Sequence, residues 1–198
     1  MRPPSHTVWS CEPYICRASH KVHGGAAQVK SKERAMEMNE PREGRHFVGK
    51  RDDLMNAKRT FKTLEGRDVL ILYHQGGFYA LDSYCYHAGG KLQTGDIEEI
   101  GGTLCIICPK HKYKISLATG EGLCKTIDKT QKPPMPKWFS KGVKQRVHTV
   151  TDTNGDVYVE LSKMPGWIES DYYQGEEGKE KRAKAEAEAE ADEGMESS

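Results

Sequence analysis

Two short clusters in the 198-residue sequence carry side chains suited to metal chemistry: Cys85-Tyr86-His87 and Cys108-Pro109-Lys110-His111. Each offers one thiolate and one imidazole within a turn of chain, and both are common donors to transition metals. Cys85 and His87 are two positions apart, so one loop can aim both at a shared centre. Cys108 and His111 are three apart, a spacing that a tight turn through Pro109 achieves. Ala88-Gly89-Gly90 follows the first cluster, and its bare backbone can pack close to a bulky inorganic group and aim N–H groups at sulfur.

Strands must position these loops. Residues 69–73 (VLILY) and 78–81 (FYAL) flank Gly76-Gly77, and residues 146–151 and 156–161 flank Asn154-Gly155, both hairpin signals. Val157, Val159 and Leu161 alternate with Tyr158 and Glu160, the period of a half-buried strand. Residues 104–107 and 113–117 read as short strands on either side of the second cluster. The best helical candidate is 52–64 (DDLMNAKRTFKTL), with an acidic start and uneven periodicity. The expectation is one mainly antiparallel, all-β domain over 45–168, long enough for a single core.

The pattern C-x-H…C-x-x-H resembles the ligand set of the Rieske iron–sulfur family. A strand, the Thr119-Gly120 turn, the Pro-rich loop at 132–136 and a closing hairpin follow in that family's order, so the resemblance covers roughly 47–162. It is nearest to the small soluble Rieske-domain proteins of animals. The resemblance implies stacked antiparallel sheets with a two-loop cluster-binding tip and one 2Fe–2S cluster per chain. Cys85 and Cys108 would hold one iron, His87 and His111 the other. Two ferric ions, two sulfides and two thiolates sum to a neutral site, which accepts an electron more readily than an all-thiolate one. The implied role is one-electron transfer, ferredoxin-like, to a protein redox partner. Its potential should fall as pH rises, because the imidazoles can lose protons.

Respiratory members of the family carry an extra cysteine in each loop, where this chain has Gly90 and Lys110. They also place Ser and Tyr hydroxyls where this chain has Tyr113 and Ile115. Fewer hydrogen bonds to sulfur imply the lower half of the range of about −150 to +300 mV. Lys112 replaces a customary glycine, a side chain that could crowd the cluster, and the 20 residues between His87 and Cys108 imply a longer loop through 96–103.

Several competing readings follow from the same residues. Two Cys and two His also make a tetrahedral zinc site, which would turn the domain into a zinc-stabilised interaction module. Zinc pairs usually come as C-x₂₋₄-C and H-x₃₋₅-H, whereas here each loop donates one of each. Cys105-Ile-Ile-Cys108 spells the thioredoxin-like C-x-x-C, but that chemistry needs a helix N-terminus and Cys105 reads as a buried strand thiol. Cys124 reads as filler; Cys11, Cys16, His20 and His23 could be drawn as a zinc knuckle, with almost nothing apolar between them to pack. His6, His46, His74 and His148 read as ordinary surface or strand histidines, and Trp138 and Phe139 as core anchors. Lys91, Lys110, Lys112 and Lys114 form either a solvated basic edge or a docking face for an acidic partner. Nucleic acid is set aside, because no aromatic–basic reading motif accompanies the lysines.

The formal net charge of +1 conceals three unequal parts. Residues 1–44 carry 7 basic and 5 acidic side chains, residues 45–168 carry 19 and 13, and residues 169–198 carry 4 and 11. The first segment reads as an irregular arm and the last as an acidic Ala/Glu-rich tail, both expected to be disordered and solvated. No apolar run approaches a membrane span, and six sparse cysteines suit a reducing compartment. A cytoplasmic monomer is expected, with a mitochondrial location the lesser alternative. No segment resembles the second, mononuclear-iron domain of the family's oxygenases, so no catalysis on an organic substrate is expected.

Overall fold

Three tight turns set the register of the larger sheet. Glu65-Gly66, Gln75-Gly76 and Asn154-Gly155 all have positive φ at both residues, the left-handed pair that matches strand twist. The hairpin signal at Gly76-Gly77 therefore resolves into a Gln75-Gly76 turn, with Gly77 opening the next strand. The computed structural model describes residues 44–196, with side chains as far as 188.

In chain order the strands are β1 (Arg45–Lys50), β2 (Arg59–Leu64), β3 (Arg67–His74), β4 (Gly77–Asp82), β5 (Ile97–Ile100) and β6 (Thr103–Ile107). β7 (Lys114–Ser116), β8 (Glu121–Asp128), β9 (Met135–Val143), β10 (Val147–Thr153) and β11 (Asp156–Glu160) follow. They form two antiparallel sheets, ordered β1-β11-β10-β4-β3-β2 and β5-β6-β7-β8-β9. The all-β expectation holds.

The helix expected over 52–64 is cut in half. It runs Arg51–Ala57, Lys58 turns the chain with φ +59, and residues 59–64 become β2. Leu54 is the one residue that helix buries, so it has no apolar face to prolong. Thr60, Phe61 and Thr63 instead take the extended form they favour, Phe61 opposite Leu70.

Strand alternation divides the core. Val69 and Ile71 of β3 pack with Val48, Leu54, Val157 and Val159 on one face. Leu70 and Leu72 point the other way, into a cluster with Leu81, Leu92, Ile106, Ile115 and Leu117. Cys85 and Cys108 belong to this second cluster, so the candidate thiols are an extension of the core.

The acidic tail requires a correction. Residues 169–174, expected to be solvated, form a short 3-10 helix that buries Ser170 and Tyr173. Their polar groups are matched to partners the sequence could not pair. The fully buried Asp82 accepts hydrogen bonds from Arg67 (2.6 and 2.9 Å) and from the Ser170 hydroxyl (2.5 Å). Asp171 takes both Arg67 and Arg146 as partners. The helix Glu176–Glu196 follows, and Arg182 on it stacks 3.4 Å above the Tyr84 ring. The arm that carries Cys11, Cys16, His20 and His23 lies outside the described residues.

Burial alone would raise the Asp171 carboxyl, but hydrogen bonds from Arg146, the Ile168 N–H and Arg67 outweigh it and hold the group at about 2. A depressed carboxylate stabilises the fold above its unfolded value of about 3.9, and that contribution disappears as pH falls toward 2. Acid unfolding of the wild type should therefore cost about 2 kcal/mol between pH 4 and 2 that an Asp171→Asn variant does not lose. Urea titrations at pH 7, 4 and 2.5 measure the difference.

Candidate metal centre

Two loops meet at one end of the smaller sheet: residues 83–96, joining β4 to β5, and residues 108–113, joining β6 to β7. The first is folded by hydrogen bonds from Cys85 N–H to Gly90 O and from Gly89 N–H to Cys85 O, both 2.9 Å. The second is closed by Cys108 N–H to Tyr113 O and Lys112 N–H to Cys108 O, both 2.8 Å. The loops touch where Gly90 faces the second loop. A Cβ at Gly90 would stand 3.0 Å from Cys108 Sγ and 3.1 Å from Lys110 Cβ, so residue 90 lies directly against residue 110.

Gln145 ties the first loop to the body of the domain. Fully buried, it donates to Asp82 O (2.9 Å) and Tyr84 O (2.8 Å) and accepts from Tyr86 N–H (3.0 Å). Sequence reading missed it, since a glutamine between Lys144 and Arg146 carries no sign of burial. Tyr173 is a second missed support, its hydroxyl donating to His87 O at 3.2 Å. Gly89, at φ +63, leaves room for it: a Cβ there would come within 2.7 Å of the Tyr173 ring and 2.9 Å of Arg182.

The four sequence-predicted residues come together in two pairs. Cys85 and Cys108 are both buried, at 1% exposure each, in the same core cluster. The interaction between the two sulfurs favours Cys85 as a thiol and Cys108 as a thiolate, and the neighbouring backbone N–H groups of His87 and Ala88 and of His111 and Lys110 lower each of them in turn. The imidazoles of His87 and His111 are exposed, with ring centroids 4.9 Å apart and planes at 88°. His87 also stacks on Tyr113 at 4.0 Å. Desolvation, then the neighbouring His111 and Lys141, keep the His87 imidazole below its ordinary pKa, favouring the neutral form that can donate to a metal.

Sulfur faces the core and nitrogen faces water. Among the described residues no three His, Cys, Asp or Glu side chains gather about a single point. A tetrahedral zinc needs all four donors within about 2.0–2.3 Å of one ion. A group with two metal centres would instead take a thiol pair on one and an imidazole pair on the other.

The remaining candidates separate from the site. Cys105 lies on the opposite face of β6, packed with Ile100 and Ile107, and burial pushes its thiol up to about 11. It is the buried strand thiol expected, not half of a redox pair with Cys108. His148 is buried in β10, with Nε2 3.3 Å from Asp82 and Nδ1 accepting from Ser162 N–H, so it serves the polar core. Trp138 is half-buried against the Cys105 cluster, whereas Phe139, expected to be a core anchor, is 46% exposed because β9 is an edge strand exposed along all of its length but Trp138.

Lys112 keeps its side chain exposed, and the cost of having a side chain there falls on the backbone, at φ +55. Relieving that strain with Lys112→Gly should stabilise the domain by about 1 kcal/mol, read from the urea midpoint at constant slope.

The family model described as "Soluble Rieske-type ferredoxin" matches residues 46–164. A human Rieske domain-containing protein is 51% identical over 126 residues, 64% of this chain and 80% of its own length. The ferredoxin component of the alkene monooxygenase system of Xanthobacter autotrophicus is 31% identical over 72 residues, 36% of this chain and 57% of its own. Among solved structures, the ferredoxin of carbazole 1,9a-dioxygenase from Nocardioides aromaticivorans is 20% identical with a TM-score of 0.44, covering 60% of this chain and 98% of that one.

Proposed function

The chain belongs to the soluble Rieske-type ferredoxin family, and on that footing we propose that Cys85, His87, Cys108 and His111 hold one 2Fe–2S cluster with which the protein carries single electrons to a partner protein. The observation that supports this most strongly is the segregation of a buried sulfur pair from an exposed imidazole pair, in the residues that match the family's motif. When bound, such a cluster supplies one-electron redox chemistry at a potential of about −150 to +300 mV.

The chain's own residues define the rest. The thiolates of Cys85 and Cys108 would anchor the group at the core, where Leu70, Leu81 and Ile115 exclude water. The backbone N–H groups that favour the thiolate forms of Cys85 and Cys108 would stabilise added negative charge and so favour reduction. Tyr113 is half-buried and its ring lies against His87, while Ile115 lends no hydroxyl, in keeping with the lower part of that range. His87 and His111 are the exposed donors, so the partner is met on the imidazole side. The ferredoxin component of a monooxygenase system among its relatives favours an oxidoreductase partner, and the lysines near the tip favour an acidic one. No helix among the described residues is long and apolar enough to cross a membrane. A cytoplasmic monomer remains the proposed state.

Iron and acid-labile sulfide analysis of protein purified in air tests the reading. Two iron and two sulfide per chain, with a brown-red colour, are expected. One zinc and no sulfide would replace it with the zinc-stabilised module.

A further inference from the structure

We infer that the partner docks in a lysine-lined groove on the His111 side of the tip, presenting an acidic segment to Lys112, Lys114, Lys125 and Lys141. This deepens the electron-carrier reading and rests on it.

The two sides of the tip differ. On the His87 side the chain's own C-terminal helix is already in place: Glu186 pairs with Lys91 at 3.1 Å, and Tyr173 and Arg182 pack against Gly89. Lys91, read from sequence as part of a docking edge, is thus matched to an internal carboxylate. On the other side a groove of about 450 Å³ opens next to His111, with Trp138 and Tyr113 in its wall and no carboxylate among its lining residues. Lys114 and Lys125 stand 5.9 and 6.0 Å from the Trp138 ring centre, and Lys141 stands 5.7 Å from that of Tyr113. The described lysine ion pairs are those of Lys50, Lys91, Lys144, Lys163, Lys179 and Lys184, and none of the groove lysines is among them.

Several unmatched positive charges around an aromatic wall, beside one of the two exposed imidazoles, complement a run of carboxylates. A segment seated there would lie next to His111, with the Tyr113 ring of the groove wall between it and His87. The electron would leave past His111.

Two probes test this. Dithionite-reduced protein is oxidised by hexacyanoferrate(III), which takes one electron and becomes hexacyanoferrate(II) with no proton transferred, and a Glu/Asp dodecapeptide serves as competitor. Lys125→Glu/Lys141→Glu should slow oxidation about tenfold in stopped flow at 10 mM salt, with the difference lost at 0.5 M. Lys62→Glu/Lys163→Glu makes the same change in net charge away from the groove and should alter the rate less than about twofold. The dodecapeptide should slow wild-type oxidation and leave the Lys125→Glu/Lys141→Glu protein unaffected. Equal slowing by both double variants, or no effect of the peptide on wild type, would overturn the groove assignment while the reddish iron-loaded protein still supports the carrier reading. A wild type without iron would overturn both.

Discussion

Serine at position 108 should give a folded domain with at least about tenfold less bound iron than wild type, because hydroxyl is a far poorer donor than thiolate to an iron–sulfur cluster. Cys108 is 1% exposed and shares the sulfur pair with Cys85, so the substitution is nearly isosteric and leaves the surrounding Leu70, Ile106 and Ile115 packing in place. Circular dichroism should therefore be unchanged while visible absorbance is lost. Cys105→Ser is the informative control. It removes an equally buried thiol from the other face of β6 and should leave iron content at the wild-type level. Cysteine at both 87 and 111 changes the donor set in the opposite sense. It adds two negative charges and should move the potential of any cluster retained toward about −400 mV, measurable by redox titration.

The second large effect lies in the polar core. Asp82→Ala should destabilise the domain by about 3–5 kcal/mol, since it strips buried partners of their charge and hydrogen bonds. Burial by itself would raise the Asp82 carboxyl, yet His148, Arg67 and Ser170 together hold it below the ordinary range. Its loss leaves Arg67 facing only Asp171, and His148 and Ser170 without their shared acceptor. The Asp82 backbone carbonyl also receives Gln145, so β4, β10 and the first cluster loop converge on one residue. Urea unfolding gives the magnitude, and a loss under about 1 kcal/mol would mean that water replaces these partners.

Much of the fold and most of the candidate site were legible because each left a short-range signature. Asn154-Gly155 sets a left-handed turn, the alternation through 157–161 sets a strand face, and two Cys/His pairs at ligand spacing mark two loops. What was hidden depends on contacts distant in sequence. Gln145 reaches 59 to 63 positions back to the first loop, and Ser170 reaches Asp82 from 88 positions away. Residues 169–174 look like a solvated acidic stretch until Arg67 and Arg146 are seen beside them. The strand β2 was hidden for a different reason. Its residues follow a short helix with an acidic start, and only pairing with β3 settles which conformation wins. The Tyr173 and Arg182 contacts with Gly89 belong to a segment beyond the matched family region, so no resemblance could have pointed to them.

Pulsed EPR of the dithionite-reduced protein, prepared with ¹⁵N-labelled histidine, addresses the ligand set itself. Two strongly coupled imidazole nitrogens are expected, with one lost in each of the His87→Cys and His111→Cys proteins. A paramagnetic signal with no histidine coupling, or no signal from protein that contains stoichiometric metal, would contradict it.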